Sequence, residues 1–91
     1  MKLLTKKQIS TSLKKLKGWK QNGTEIYKTF TKKDFVHAMG FVQSVALLSE
    51  KMNHHPDIDI RWNKITLVLS THSKGGLTEK DFLLAQCIDK L

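Results

Sequence analysis

Apolar residues near the start of the chain recur at helical spacing. Thr5 and Gln8 stand three residues apart at the head of this run, as in a capping box, and Gly18 follows it. We predict a first helix that begins after Thr5 and ends at Gly18, because glycine readily supplies a helix end. Its apolar stripe consists of Ile9, Leu13 and Leu16.

A hairpin is predicted next. Asn22-Gly23 is a dipeptide that tolerates the positive φ angles of a tight turn, and strands are predicted on either side at 19–21 and 25–31. The apolar residues of the second strand do not alternate. The prediction there depends on β propensity and on the turn.

A second helix is predicted from Thr31, which stands as N-cap with Asp34 three residues on, to about Met52. Its apolar residues cover more than one stripe, so one side packs on the sheet. The other side either meets a second subunit or is fully covered within the core. The apolar positions are Phe35, Ala38, Met39, Phe41, Val42, Val45, Ala46 and Leu48.

The last third of the chain predicts a second hairpin and a third helix. Pro56 prevents the second helix from continuing, and apolar and charged residues alternate over 57–62, as in a half-buried strand. Asn63-Lys64 predicts the turn and 65–71 the next strand. A glycine-containing loop follows, and Thr78 then caps the final helix.

The order α-β-β-α-β-β-α predicts an α+β fold, with a four-stranded antiparallel sheet and helices packed on one face. The 91 residues are expected to form a single domain over 1–91. A chain of this length buries only a modest fraction of its surface. We therefore expect a homodimer or homotetramer, assembled through the helix at 35–52 or through a sheet edge.

The net charge of +8 is concentrated in the first third of the chain. Residues 1–33 hold ten lysines and one acidic residue, whereas 34–91 hold six basic and seven acidic residues. Such an excess could attract an acidic partner or nucleic acid. Fifteen of the sixteen basic residues are lysine, however, and base-reading surfaces depend mainly on arginine. We interpret the excess as a solvated lysine face and do not expect a nucleic-acid partner.

Cys87 is the only cysteine, so an intramolecular disulfide is impossible, which fits a reducing compartment. Lys6 and Lys7 interrupt the apolar start of the chain, and no later apolar run is long enough to cross a bilayer. We expect a cytoplasmic protein without a membrane association.

Three of the four histidines fall within 54–72. Pro56 restricts His55 to extended backbone while His54 can remain at the helix end, so the two imidazoles are sent in different directions. His72 ends the strand that pairs with the one after Pro56, and the hairpin should bring it near the same helix end. Histidines grouped in this way can donate and accept protons near neutral pH.

The neighbouring residues each allow two interpretations. Glu50 lies one helical turn before His54 and could orient its imidazole, or simply stabilise the helix end. Trp62 shares the parity of its strand's apolar residues, which favours a core residue; the alternative is a flat wall for a planar ligand. Asp81, three residues after Thr78, could complete a capping box.

The spacing of these residues resembles the signature of the pterin-4a-carbinolamine dehydratases at every position. The matching positions are Glu50, His54, His55, Pro56, Trp62, His72 and Asp81. The likeness is close over about residues 33–86 and extends in layout to the rest of the chain.

The resemblance implies a hydro-lyase that dehydrates a 4a-hydroxytetrahydropterin to the quinonoid dihydropterin, in tetrahydrobiopterin recycling. The pterin is then the substrate, and no metal or redox cofactor is implied. The implied roles are acid/base work for His54 and His72, substrate binding with a share in proton transfer for His55, a pocket wall from Pro56 and Trp62, and support from Glu50 and Asp81.

Two other classes of function compete with this one. Some members of the same family also bind a transcription factor, and the wide apolar surface of 35–48 fits a dimerisation or coactivator module without essential catalysis. In the other class, His54, His55 and His72 are zinc ligands with an open position. Adjacent ligands are awkward there, because the proline drives them apart.

Overall fold

The computed structural model describes all 91 residues and has the predicted order of helices and strands. The elements are α1 (Lys6–Lys14), β1 (Lys20–Asn22), β2 (Glu25–Thr31), α2 (Phe35–Met52), β3 (Asp57–Arg61), β4 (Lys64–Leu69), a 3₁₀ turn (His72–Lys74) and α3 (Glu79–Asp89). The strands form one antiparallel sheet in the order β1-β2-β4-β3. The predicted fold class is confirmed.

The core lies between one face of the sheet and the helices. Paired residues of neighbouring strands share a face, and Ile26 opposes Leu69 while Phe30 opposes Ile65. Ile26, Ile65 and Leu69 are fully buried. The residues that α2 and α3 add to the same core are Ala38, Phe41, Val45, Phe82, Leu84, Ala85 and Ile88.

The predicted end of the first helix and the predicted start of the second need correction. Helix α1 ends at Lys14 rather than at Gly18, because the chain tightens there and Lys15 N–H donates to Ser12 O. Thr31 is not the N-cap of α2, since β2 includes it and Lys32 N–H still donates to Asn63 O at 2.8 Å. The cap of α2 is Asp34.

The two hairpin turns each lie one residue away from their predicted positions. The first turn is Gly23-Thr24, because Asn22 already pairs with Glu25, and the positive φ of 60° falls on the glycine. The second turn is Trp62-Asn63, because Arg61 pairs with Lys64. Strand β4 accordingly runs over Lys64–Leu69 instead of 65–71.

The prediction that β3 is half buried is wrong. All five residues of this strand are exposed, because β3 is an edge of the sheet and the helices do not reach over it. The core interpretation of Trp62 is also wrong: its side chain is 69% exposed, and its φ of 53° places it in the turn. Alternation along the strand identified a face but not whether anything covers that face.

Helix α3 and the first hairpin are tied together by Asp89. Its two carboxylate oxygens accept from the indole N–H of Trp19 at 3.0 and 3.1 Å, and Lys28 Nζ lies 3.0 Å from Oδ1. This contact holds the C-terminal end of α3 against the sheet. The N-terminal end of α3 lies beside the C-terminal end of α2. No helix is both long enough and apolar enough to cross a membrane.

A candidate acid and base site at the end of the second helix

His54 is positioned by the way α2 ends. Asn53 adopts the left-handed conformation (φ 49°), and the backbone N–H of His54 then donates to Ser49 O at 3.0 Å. A left-handed residue followed by such a bond is a common helix stop, and it turns the chain out of the helical path. The turn carries His54 inward, where only 9% of its surface remains exposed.

His54 is paired with Asp81 of α3. The His54 Nε2 and Asp81 Oδ1 atoms lie 2.6 Å apart, and Asp81 has no exposed surface. The other carboxylate oxygen accepts from the Thr71 hydroxyl at 2.8 Å and from the Thr78 backbone N–H at 2.9 Å. Three donors from three segments of the chain therefore hold this one carboxylate in place.

The pairing defines which nitrogen of His54 can react. An ionised carboxylate only accepts hydrogen bonds, so the proton of the pair lies on Nε2 of His54. The second nitrogen, Nδ1, is then left to exchange a proton with another molecule. The carboxylate also compensates the positive charge that the imidazole gains when it accepts a proton.

His55 lies outside this buried pair. Its Nε2 atom is 2.5 Å from Glu50 Oε2, and both side chains are largely exposed. The prediction that the two histidines diverge is confirmed, since they bond to different carboxylates. Of the two interpretations of Glu50, the one in which it orients His54 is wrong, because Glu50 bonds to His55 and the left-handed Asn53 ends the helix before His54.

His72 lies at the start of the 3₁₀ turn and is exposed. It directly follows Thr71, the residue that donates to Asp81. The loop is anchored at this point, because Thr71 N–H donates to Gly76 O at 2.9 Å. His72 is thereby one residue away from the network that holds His54.

Trp62 is separated from the histidines within one chain. Pro56 precedes the first residue of β3, and Trp62 follows the last. Six extended steps at about 3.3 Å each place the two residues roughly 20 Å apart. The structure therefore does not bring Trp62 together with His54 and His55 of the same chain.

Two threonines belong to the network. The sequence predicted Thr78 only as the cap of the final helix and gave Thr71 no role in the site. Thr71 and Thr78 are both buried, and their hydroxyl oxygens lie 2.8 Å apart. The one available signal was the capping-box spacing of Thr78 and Asp81, whose backbone contact at 2.9 Å is present.

The fourth histidine, His37, serves the start of α2 and not the site. Asp34 Oδ1 accepts from the His37 backbone N–H at 2.8 Å and lies 2.6 Å from its Nδ1. The backbone donor, and then the imidazole, hold the pKa of Asp34 below its usual value. This histidine is exposed.

Neither surface cleft of the chain lies at the histidines. One, of about 450 Å³, lies between α1 and α3 and includes Leu4 and Phe82; the other, of about 470 Å³, is bordered by lysines and Asp89. No group of three or more His, Cys, Asp or Glu side chains is arranged to hold a metal ion. The zinc interpretation therefore gains no ligand set from this arrangement.

Comparison with known proteins gives a consistent set of relatives. The family model described as pterin 4 alpha carbinolamine dehydratase matches residues 2–91. A protein of Roseiflexus castenholzii is 54% identical over 98% of this chain and 96% of its own length. One of Sulfurisphaera tokodaii is 46% identical over 100% and 98%. Each is named "Putative pterin-4-alpha-carbinolamine dehydratase".

Two solved structures share the fold. One, described as a transcriptional coactivator/pterin dehydratase from Brucella melitensis, has a TM-score of 0.93, with 34% identity over 97% of this chain and 96% of that one. The other is a pterin dehydratase-like protein described as a RuBisCO assembly factor in the alpha-carboxysome. Its TM-score is 0.66, with 20% identity over 79% and 83% of the two chains, which shows the fold alone.

Proposed function

Because the chain belongs to the pterin 4 alpha carbinolamine dehydratase family, we propose that it is a hydro-lyase acting on a 4a-hydroxytetrahydropterin. The observation that carries the proposal is the buried pair of His54 and Asp81 at the end of α2. A buried imidazole bonded to a carboxylate that is itself held by two further donors is a group prepared for proton transfer.

The reaction needs one proton delivered and one removed. The bond between C4a and the hydroxyl oxygen breaks, and the hydroxyl takes up a proton and leaves as water. A proton leaves the adjacent ring nitrogen, whose electron pair forms the new double bond of the quinonoid dihydropterin. No oxidation state changes, so these steps require no redox cofactor, and histidine side chains suffice for both transfers.

We assign the two proton transfers to His54 and His72. Asp81 keeps the proton of His54 on Nε2, which directs Nδ1 towards the substrate as acceptor or, once protonated, as donor. His72 lies next to Thr71, whose hydroxyl donates to Asp81, so both histidines belong to one anchored end of the sheet. Asp81 is a positioning residue in this scheme.

His55 is assigned to substrate binding, with a share in proton transfer. Its side chain and that of Glu50 are exposed, so a bound pterin could reach them without displacing core residues. Glu50 supports the orientation of this imidazole. Pro56 fixes the extended backbone of His55 and lies beside it at the edge of the site.

The proposed setting is the recycling of tetrahydrobiopterin after aromatic amino-acid hydroxylation, in the cytoplasm. The proposed assembly is a homodimer or homotetramer. Helix α2 supports it, because this helix buries one stripe and exposes apolar side chains elsewhere. The exposed ones are Phe35, Val36, Met39 and Leu47.

The same exposed residues support a second candidate function, a dimerisation or coactivator module without essential catalysis. The Brucella melitensis protein described as a transcriptional coactivator/pterin dehydratase is 34% identical to this chain. Val36→Glu and Leu47→Glu should abolish assembly at micromolar concentration if α2 is the contact. An assembly that survives both substitutions, or a wild-type monomer, would remove this candidate.

Loss of the 4a-hydroxypterin absorbance, followed with purified protein, tests the proposed function. His54→Ala and His72→Ala should each lower kcat by about 10²-fold or more, the range of a lost acid or base. His37→Ala is the matched control, because that histidine also pairs with an aspartate but lies at the other end of α2. No acceleration by wild type, or full activity in the His54→Ala, His72→Ala double variant, contradicts the proposal.

A further inference from the structure

Two buried hydroxyl groups lie behind the pair of His54 and Asp81. Thr71 is 4% exposed, and Thr78 has no exposed surface. The Thr71 hydroxyl oxygen lies 2.8 Å from Asp81 Oδ2 and 2.8 Å from the Thr78 hydroxyl oxygen. Because both residues are buried, each hydroxyl must place its single proton on an acceptor within this network.

The ionised carboxylate of Asp81 fixes the direction of these hydrogen bonds. It can only accept, so the Thr71 hydroxyl donates its one proton to Oδ2. In the contact between the two hydroxyls Thr71 must then accept, and Thr78 donates. On the other side of the carboxylate, His54 Nε2 donates to Oδ1. All of these protons point towards Asp81, and one chain of them runs from Thr78 through Thr71 to the carboxylate.

Thr71 also holds the loop that begins with His72. Its backbone N–H donates to Gly76 O at 2.9 Å, and its carbonyl oxygen accepts from Lys74 N–H at 3.0 Å. The loop is therefore closed at the residue immediately before His72. One residue thus serves both halves of the site: its side chain bonds to the partner of His54, and its backbone closes the loop of His72.

We propose that Thr71 is a positioning residue for the dehydration, and that its hydroxyl limits how strongly Asp81 holds the positive charge of His54. A donor to a carboxylate compensates part of its negative charge. The carboxylate then orients the imidazole and still allows it to release a proton to the reaction. The inference rests on the proposed function, because His54 is taken as one of the two groups that exchange protons with the pterin.

Asp81 is the charged group that acts on His54. Glu50, a carboxylate close by in sequence, is paired with His55 instead. No ion pair joins His54 or Asp81 to any other charged side chain. The remaining titratable residues on the surrounding segments are Lys51, Asp57, His72, Lys74, Glu79 and Lys80. The donors to the Asp81 carboxylate are therefore the groups through which the fold can adjust this pair.

Thr71→Val tests the proposal, because it removes the hydroxyl and keeps a β-branched side chain of similar shape. It should lower kcat about tenfold and change KM less than about twofold, since the hydroxyl acts on proton transfer and touches no substrate. With one donor fewer, the carboxylate holds the positive charge of His54 more strongly. The pH profile of kcat should therefore move to higher pH by about half to one unit.

Two further variants separate the hydroxyl from the rest of the side chain. Thr71→Ser keeps the hydroxyl and should give the wild-type pH profile, with kcat within about threefold of wild type. Thr66→Val is the matched control, because its hydroxyl also lies 2.8 Å from a threonine hydroxyl, that of Thr29, but on the face of the sheet away from the core. It should leave kcat and the pH profile unchanged. A wild-type kcat and an unshifted profile in folded Thr71→Val, or the same loss in Thr71→Ser, would overturn the proposal.

Neutron diffraction from perdeuterated wild-type protein tests the direction of the chain without a variant and without measuring activity. The proposed chain places a deuteron on Thr71 Oγ1 towards Asp81, one on Thr78 Oγ1 towards Thr71, and one on His54 Nε2. A Thr71 deuteron directed at Thr78, or a deuteron on the Asp81 carboxylate, overturns the proposal even if the enzyme is active. An inactive wild type with the deuterons in the stated places refutes the proposed function and leaves the direction of the network standing.

Discussion

Replacement of Asp81 by asparagine should separate its role in catalysis from its role in folding. The amide keeps one oxygen, which can still accept from Thr71 and Thr78, now bonded at 2.8 and 2.9 Å. Its NH₂ group faces His54 Nε2, which must then accept, and the imidazole proton moves to Nδ1. The shape of the site is retained, but the nitrogen that faces the substrate has the wrong proton state.

The magnitudes differ strongly between the two obvious substitutions. Asp81→Asn should cost about 1 kcal/mol of unfolding free energy, because every buried donor keeps a partner. Asp81→Ala leaves the His54 and Thr78 donors unpaired, while the Thr71 hydroxyl can turn to the Thr78 hydroxyl 2.8 Å away. Two stranded donors cost about 2–6 kcal/mol, a large share of a small domain's stability.

Urea unfolding measures the loss of stability, and the decay of 4a-hydroxypterin absorbance measures the loss of catalytic rate. We expect Asp81→Asn to remain folded with kcat reduced by about 10²-fold or more and with an altered pH profile of kcat. A merely structural aspartate would leave that profile unchanged. Wild-type kcat and an unaltered pH profile in Asp81→Asn would refute the tautomer argument.

Three further predictions concern stability. Asn53→Gly should raise the unfolding free energy by about 0.5–1 kcal/mol, because glycine adopts the observed φ of 49° without strain. Asn53→Ala should lower the unfolding free energy. Thermal unfolding measures both variants, and equal effects would contradict the assignment of Asn53 as the helix cap. Asp89→Ala should cost about 1–3 kcal/mol in urea unfolding, because the buried indole N–H of Trp19 loses its acceptor, and a loss near zero would mean that water replaces it. The His37 donors hold the pKa of Asp34 low, so the ionised carboxylate stabilises the fold above the ordinary carboxyl pKa, and this stabilisation disappears as the pH falls through the lowered value. The difference in Tm between wild type and Asp34→Asn should therefore shrink below about pH 4. A difference that stays constant with pH would contradict this prediction.

Local signals predicted most of the fold because they act over a few residues. The capping pair of Thr5 and Gln8 and the range of β2 both agree with the structure. Errors arose where the competing element was distant. Thr31 satisfies the local rule for an N-cap, but the bond between Lys32 and Asn63 keeps the chain in the sheet, and Asp34 takes the cap.

The candidate site was predictable as a set of residues but not as a set of contacts. The pair of His54 and Asp81 joins positions 27 apart and depends on how α3 docks at the end of α2. Spacing alone allowed Glu50 as a partner of His54, but that interpretation assumes that the helix continues to His54. Alternation likewise assigned Trp62 to the core, since a periodic pattern carries no information about which strand forms the sheet edge.

The rate at which purified wild-type protein removes a 4a-hydroxytetrahydropterin tests the central claim most directly. The account predicts first-order loss of its absorbance that is proportional to enzyme concentration, and that falls to the buffer rate in the His54→Ala, His72→Ala double variant. The His37→Ala variant should match wild type. A wild-type rate equal to that of buffer, with protein shown to be folded, would contradict the account.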